Sequence, residues 1–593
     1  MKRRHLSLVC CVVVLAFMAG LAPAAAASRS LIASVVEPQV WQQVQAGGRV
    51  RVLVYLQGQT DLQSAYGIAG WVERGRFVYG QLQAAERSSR DLYAWLENVN
   101  AKPHRLLTAH AIAADVDAGL LAALAARPEV RRIGPNASAR PLEAPVAGVW
   151  SPRPAETEAG RGTAEVVEWN IAKIRADQAW AAFGVRGQGM VVGDIGTGVL
   201  YDHAALVQQY RGNLGGGTFD HNRNWFDLVN GQPVPYDDSG HSTFGVGVAV
   251  GSDGGANQIG VAPAARWIAV KVFDAYGGGT LEDLHAAMEW MLAPTDLGGT
   301  SPDPAKRPNV GLNMWGLWGG CDTEFNPDVQ AWQAAGILPV FGIGGDGPGC
   351  ATIRSPADML GTFSAGATDS SDNISPFSAR GPGCWGSLKP EVSAPGVNIR
   401  SSTNDGGYQV WSGTSFSAAH LAGAAALVLS ADPSLGLDEL ETIVKDTAVC
   451  RDELTCGGSP CPDGMNNTYG WGRIDAYEAV AAALSGLPPM HVGGIKLVVR
   501  GLGMGRYVVQ GAVKVLDEAH HPVGDAMVSV EWTVPGGSTL AQEVMSTPSG
   551  VAKFRLKSRQ TGIHRLCVTG ISKVGRSYNP GQNVETCDTA AVP

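Results

Sequence analysis

Residues 189–195 read GMVVGDI, and the same kind of short apolar run returns as RWIAVKVF at 266–273, NVGLNMW at 309–315 and ILPVFGI at 337–343. Each run is too short for a helix and too continuously apolar for a strand with one wet face, so both of its faces must be covered. The covering elements lie between the runs: TLEDLHAAMEWML (280–292), NPDVQAWQAAG (326–336) and AAHLAGAAALVLSA (418–431) carry apolar residues at helical spacing. Buried strands joined by helices specify an α/β fold with a parallel sheet in three layers, here over residues 166–487. Such sheets bind ligands beyond the carboxyl ends of their strands.

The pattern changes on both sides. Upstream, VRVLVYL at 50–56 reads as a strand, ERGRFVYGQLQAAERSSRDLYAWLENVN at 73–100 as helix, and HAIAADVDAGLLAALAARPEVRRIGPN at 110–136 as strand, helix, turn and strand. An α+β domain is expected over 37–138. A linker rich in Pro, Ala, Gly and charge is expected over 139–165, a place open to proteolytic cutting. Downstream of 488 the helices stop, and runs such as RYVVQGAVKVLD (506–517) and VAKFRLKS (551–558) alternate at period two. That predicts an immunoglobulin- or fibronectin-like β-sandwich over 488–593.

The N-terminus has a basic MKRRH, the apolar LSLVCCVVVLAFMAGL and the small residues APAAAAS, the order of a secretory signal peptide ending near Ala27. Beyond it, no apolar run of spanning length is free of glycine or polar interruptions. The chain has ten cysteines. Cys10 and Cys11 leave with the signal, and the even remainder suits disulfides in an exported protein. Cys567 with Cys587 is the expected pair of the C-terminal domain, while the pairing of Cys321, Cys350 and Cys384 and of Cys450, Cys456 and Cys461 is open. No histidines accompany these cysteines at zinc-ligand spacing. The net charge of -9, without a basic stripe, excludes nucleic acid as the expected partner.

Two motifs carry chemistry. SGTSFSAAHLAG at 412–423 places Ser415 after a glycine turn at the start of an alanine-rich helix, whose free N–H groups favour developing negative charge. GHSTFGVG at 240–247 places His241 after another glycine. With IGVAPAARWIAVKVF, PVFGIGGDGPG and KPEVSAPGVNIRSS, these segments resemble the subtilisin-like serine proteases across essentially all of 165–487. The resemblance implies Ser415 as nucleophile, His241 as base, the backbone N–H of Ser415 as an oxyanion donor, and Met314, Trp315 and Gly316 beside the substrate cleft. It also implies that 37–138 is an inhibitory, chaperoning propeptide and that the large secreted members' C-terminal β domain is present.

The same resemblance exposes departures. The family's aspartate strand reads like G-x-G-V-x-V-A-V-I-D-T-G-V, and GQGMVVGDIGTGV at 187–199 aligns without a gap, so the aspartate position is Gly196. Asp194 is two strand steps away, roughly 6 to 7 Å, and a base-orienting hydrogen bond spans only about 2.6 to 3.2 Å. Asp194 is therefore expected buried beneath the site, as a poor substitute. Asp237 and Asp238 are further carboxylates nearby. The family's oxyanion asparagine falls on Gly345, and its neighbour Asp346 cannot donate when ionised. Ser242 and Phe244 stand where the histidine motif has Gly and His, Ala419 replaces a proline, and Met314 replaces a serine.

Losing the triad aspartate costs about 10⁴ in turnover and losing the oxyanion amide about 10² to 10³ in other serine proteases. The expectation is a secreted or surface-associated serine endopeptidase by family, severely impaired; the alternative is an inactive homologue that binds peptide or protein in the old cleft. No cofactor is required for the chemistry. Structural calcium is common in the family, but no ligand set is assignable, and the expected partners are a protein or peptide and the chain's own propeptide.

Overall fold

A computed structural model of the chain describes residues 34–142, 167–460 and 465–593, less positions 59, 487, 504, 519, 574 and 575. The expected signal peptide, most of the expected linker and Cys461 lie outside the described residues.

The N-terminal domain is a four-stranded antiparallel sheet, β1 (Val50–Leu56), β2 (His104–Leu106), β3 (Ala111–Val116) and β4 (Val130–Pro135), in the order β2-β3-β1-β4. Its central strand is apolar on both faces for a reason. Val52, Val54 and Leu56 pack with helices of the same domain. Leu53 and Tyr55 face the other way, into a core shared with Leu284, Ala287 and Met288 of the central domain. The long helical stretch is broken by a tight turn at Arg87–Ser89 into α1 (Trp71–Glu86) and α2 (Arg90–Asn98).

The linker does not begin at 139. Residues Ser138–Pro141 form a further strand, β5, which leaves the N-terminal sheet and enters the central domain. It lies between two short strands there, and its pairing appears only once the tertiary structure exists.

The central domain carries seven parallel strands in the order β14-β13-β12-β10-β6-β8-β7. These are β6 (Val191–Gly196), β7 (Trp225–Asp227), β8 (Arg266–Lys271), β10 (Val310–Asn313), β12 (Leu338–Gly342), β13 (Phe363–Thr368) and β14 (Val392–Pro395). The four apolar runs supply β6, β8, β10 and β12, and nearly all of their residues are buried. One helical layer includes α5 (His241–Val250) and α8 (Thr414–Ala431); α6 (Leu281–Leu292) and α7 (Asn326–Ala335) form the other and meet the N-terminal sheet. Among the described residues, α8 alone is long and apolar enough to cross a membrane, and it is the buried core helix.

After the last helix of the central domain, Ala476–Ser485, comes a sandwich of two four-stranded sheets closed on Val509, Val513, Trp532, Phe554 and Leu566. Ala552, Phe554 and Leu556 point inward while Lys553, Arg555 and Lys557 point out, the period two seen in the sequence. Disulfides join Cys567 to Cys587, Cys321 to Cys384 and Cys350 to Cys456, and Cys450 is also bridged.

Candidate active site

Two helix starts face one another at the carboxyl end of the sheet. Gly240 takes φ +93°, a conformation glycine adopts without strain, and turns the chain so that His241 opens α5. Ser415 sits in the first turn of α8. Both side chains are buried, and His241 Nε2 lies 3.1 Å from Ser415 Oγ, hydrogen-bond distance for a nucleophile and its base. Phe416 packs against both the His241 ring and Phe244.

The position that should orient the histidine is Gly196, the last residue of β6. A Cβ placed there would stand 2.0 Å from Ser242 Oγ, so the serine hydroxyl fills the space of the missing side chain. Among the described residues three carboxylates lie in this part of the molecule, Asp194, Asp237 and Asp238, and each has surroundings other than the His241 ring. Asp194 is fully buried, and neither of its oxygens makes a hydrogen bond to a described residue. Burial pushes its carboxyl well above the usual range, a penalty the neighbouring Ser242 hydroxyl only partly relieves and the nearby Asp237 charge deepens. Asp237 holds the turn into α5, accepting from the backbone of Ser239, Gly240 and Thr243 and from Thr243 Oγ1. Asp238 pairs with buried Lys271 Nζ at 2.6 Å, which also donates to the carbonyls of Thr197 and Phe273.

On the oxyanion side, a Cβ on Gly345 would find nothing within 4 Å. Asp346 does not turn toward the serine; its carboxylate is forked by Arg354, through Nε at 2.5 Å and Nη2 at 3.0 Å. The Arg354 guanidinium also lies over Trp318.

The cleft is occupied by the chain itself. β5 pairs antiparallel with β9 (Gly279–Thr280) on one side and β11 (Trp315–Gly316) on the other. Leu142 then donates its N–H to the Met314 carbonyl at 3.0 Å. Its side chain is buried, with Cδ2 2.9 Å from a Cβ on Gly316 and Cδ1 2.5 Å from one on Gly342, so the absence of side chains at those glycines makes its pocket. Ser415 N is 3.4 Å from that same Gly342 position, which puts Leu142 beside the nucleophile. Met314, Trp315 and Gly316 thus meet the occupant through their backbones. The Met314 side chain points into the core against Gly245, one turn along α5 from His241.

Two features of this region were not legible beforehand. Ser242 reads as ordinary polar variation beside a histidine, and SARP at 138–141 has no strand pattern of its own. Among the described residues no group of three or more His, Cys, Asp or Glu side chains is placed to hold a metal.

The subtilase family model matches residues 187–472. Bacillopeptidase F of Bacillus subtilis (strain 168) is 45% identical over 331 residues, 54% of this chain and 22% of the relative. Serine protease AprX of the same organism is 31% identical over 321 residues, 50% of this chain and 66% of the relative. The chain therefore spans less than two thirds of the length of either. Subtilisin DY of Bacillus licheniformis is 30% identical over 288 residues, which cover 92% of that protein. With a relative 30% identical and covered over 92% of its length, the chain belongs to the subtilase family.

Proposed function

We propose that this chain is a secreted, severely impaired endopeptidase whose cleft is held by its own N-terminal domain. Ser415 and His241 keep nucleophile and base in contact. What carries the reading is residue 196: it has no side chain, Ser242 Oγ stands in its space, and the three neighbouring aspartates are engaged elsewhere or unbonded. An uncharged hydroxyl cannot stabilise the imidazolium that forms when Ser415 gives up its proton, a role worth about 10⁴ in turnover in other serine proteases. Gly345 supplies no side-chain donor to an oxyanion, which leaves backbone N–H groups such as that of Ser415.

Residues 37–138 act as a prodomain in this reading, with β5 and Leu142 lying in the cleft beside Ser415. Export rests on the signal-like N-terminus, and the bridged cysteines agree with an oxidising compartment. A second reading, a non-catalytic peptide binder, is favoured by one observation: the cleft already holds an extended segment by backbone pairing on both sides.

The deciding experiment is hydrolysis of fluorogenic casein by the purified protein against its S415A variant, prepared identically. The expected result is no detectable excess in the parent. A clear excess overturns the impaired reading and sends attention to Asp194.

A further inference from the structure

We propose that Ser242 is a positioning residue coupled to Gly196, so that the two positions work as one unit and neither tolerates change alone. The inference rests on the reading of Ser415 and His241 as the reacting pair. Ser242 follows His241 directly and lies in the first turn of α5, fully buried. Its Oγ accepts the Thr197 N–H at 2.9 Å, and its own N–H donates to Thr197 Oγ1 at 3.0 Å. This reciprocal pair staples the end of β6 to the turn that carries the histidine. The staple runs through the volume a side chain at 196 would occupy: a Cβ there meets Ser242 Oγ at 2.0 Å, Asp194 Oδ2 at 3.2 Å and Ser242 Cβ at 3.4 Å.

The consequences differ for each single change. A side chain added at 196 forces the Ser242 hydroxyl to rotate away and abandon the Thr197 amide in a place water does not reach. Glycine at 242 removes the Oγ half of the staple, keeps only the backbone N–H on Thr197 Oγ1, and leaves a void against the buried Asp194. With both changed together, the side chain at 196 enters the space that Ser242 vacates. Ser242 therefore preserves where His241 stands without supplying the charge a carboxylate would bring. A chain with an uncharged brace keeps its nucleophile and base in register while losing turnover, which is why the 3.1 Å contact survives here.

A double-variant cycle tests the coupling. Thermal unfolding is followed for the parent, G196A, S242G and G196A/S242G. Alanine at 196 is expected to lower Tm by about 3 °C or more when Ser242 is present, and to leave Tm unchanged or raised in the S242G background. An equal effect of alanine in both backgrounds overturns the proposal.

The second measurement reads position rather than fold: the rate at which a fluorophosphonate labels Ser415, as a function of pH, in the parent, G196D and G196D/S242G. The double variant is expected to label at least about 10²-fold faster than the parent, with a pH profile that differs from the parent's. G196D alone is expected to show no gain. Rescue by G196D alone, equal to the double variant, overturns the coupling. Rapid labelling of the parent would instead refute the impaired reading, and the Tm cycle would still decide whether 196 and 242 are coupled.

Discussion

Glu289 lies where the N-terminal domain meets α6, and its Oε2 accepts the Leu107 N–H at 2.7 Å. Burial pushes its carboxyl up from 4.5 to about 7, against the Leu107 hydrogen bond and the charge of His104, and with help from Asp328 and Glu86. Tyr79 packs in the same region. A carboxyl raised in the docked state binds its proton more tightly there than when exposed. Its stabilising contribution is thus complete below about pH 4.5 and is lost as pH rises through about 7. At about 1.4 kcal/mol per pH unit, the loss between pH 5 and 8 is about 2.5 kcal/mol, or roughly 10²-fold in the opening equilibrium. E289Q keeps an oxygen for the Leu107 amide and removes the titration. The assay is hydrogen exchange of that amide at pH 5, 6, 7 and 8, corrected for intrinsic rates. His104 is also held above its usual range by Glu282 and shifts stability in the same direction, so the quantity read is parent minus variant. E289Q is expected to match the parent near pH 5 and to exceed its protection by up to about 10²-fold at pH 8. Parallel pH profiles for the two proteins would refute the reasoning.

The same contact gives a second prediction. His285 lies between Glu324 and Asp328, 2.9 Å from each; burial lowers it, but the Asp328 charge and the hydrogen bonds its ring donates to both carboxylates outweigh that and hold it at about 10. Glu324 is held down at about 2 by His285 and by Arg132 and Tyr55 from the N-terminal domain. R132M removes one of these partners. Arg132 is partly exposed, and Glu324 keeps the other two, so the expected loss in chemical denaturation is about 1 to 2 kcal/mol, below the 3–5 of a buried pair broken outright. A variant as stable as the parent would show that the ion pair contributes nothing to docking. For the oxyanion side, the open space at Gly345 means that G345N folds with unchanged Tm. Alone it restores no casein hydrolysis; in the G196D/S242G background it raises turnover by about 10². A fall in turnover there would mean the asparagine side chain does not reach the oxyanion.

Much of the fold was written in local sequence, because the strands that build the sheet are buried on both faces and advertise it. GMVVGDI, RWIAVKVF, NVGLNMW and ILPVFGI all became parallel strands of one sheet, and Ser415 and His241 met at helix starts. What escaped has a common cause. The strand at 138–141 is held by partners some 140 and 175 residues further along the chain, so no local periodicity marks it. Ser242 acquires meaning only when Gly196, in a different element, is seen to lack what Ser242 occupies. Glu289 sits on α6 and Glu324 in the turn before α7, and only docking against the N-terminal sheet gives these polar positions their partners Leu107, Arg132 and Tyr55.

The two departures at the site and the occupant of the cleft bear on each other. β5 follows β4 after only Asn136 and Ala137, so the segment ending at Leu142 is tethered to a domain already fixed on α6 and α7. A tether this short gives the segment an effective concentration in the cleft of at least the millimolar range. A free peptide making the same backbone pairs must compete against that, and micromolar concentrations of a comparable binder would not displace it. In a working endopeptidase a cut in the chain beyond β5 would break this linkage and let the N-terminal domain leave. If the impairment proposed above holds, the chain lacks its own means of making that cut at an ordinary rate. Use of the cleft by an outside ligand then depends on a second protease acting beyond Leu142, or on conditions that loosen the contacts at Glu289 and His104. Rising pH is one such condition, because both groups favour the docked state only while they hold their protons.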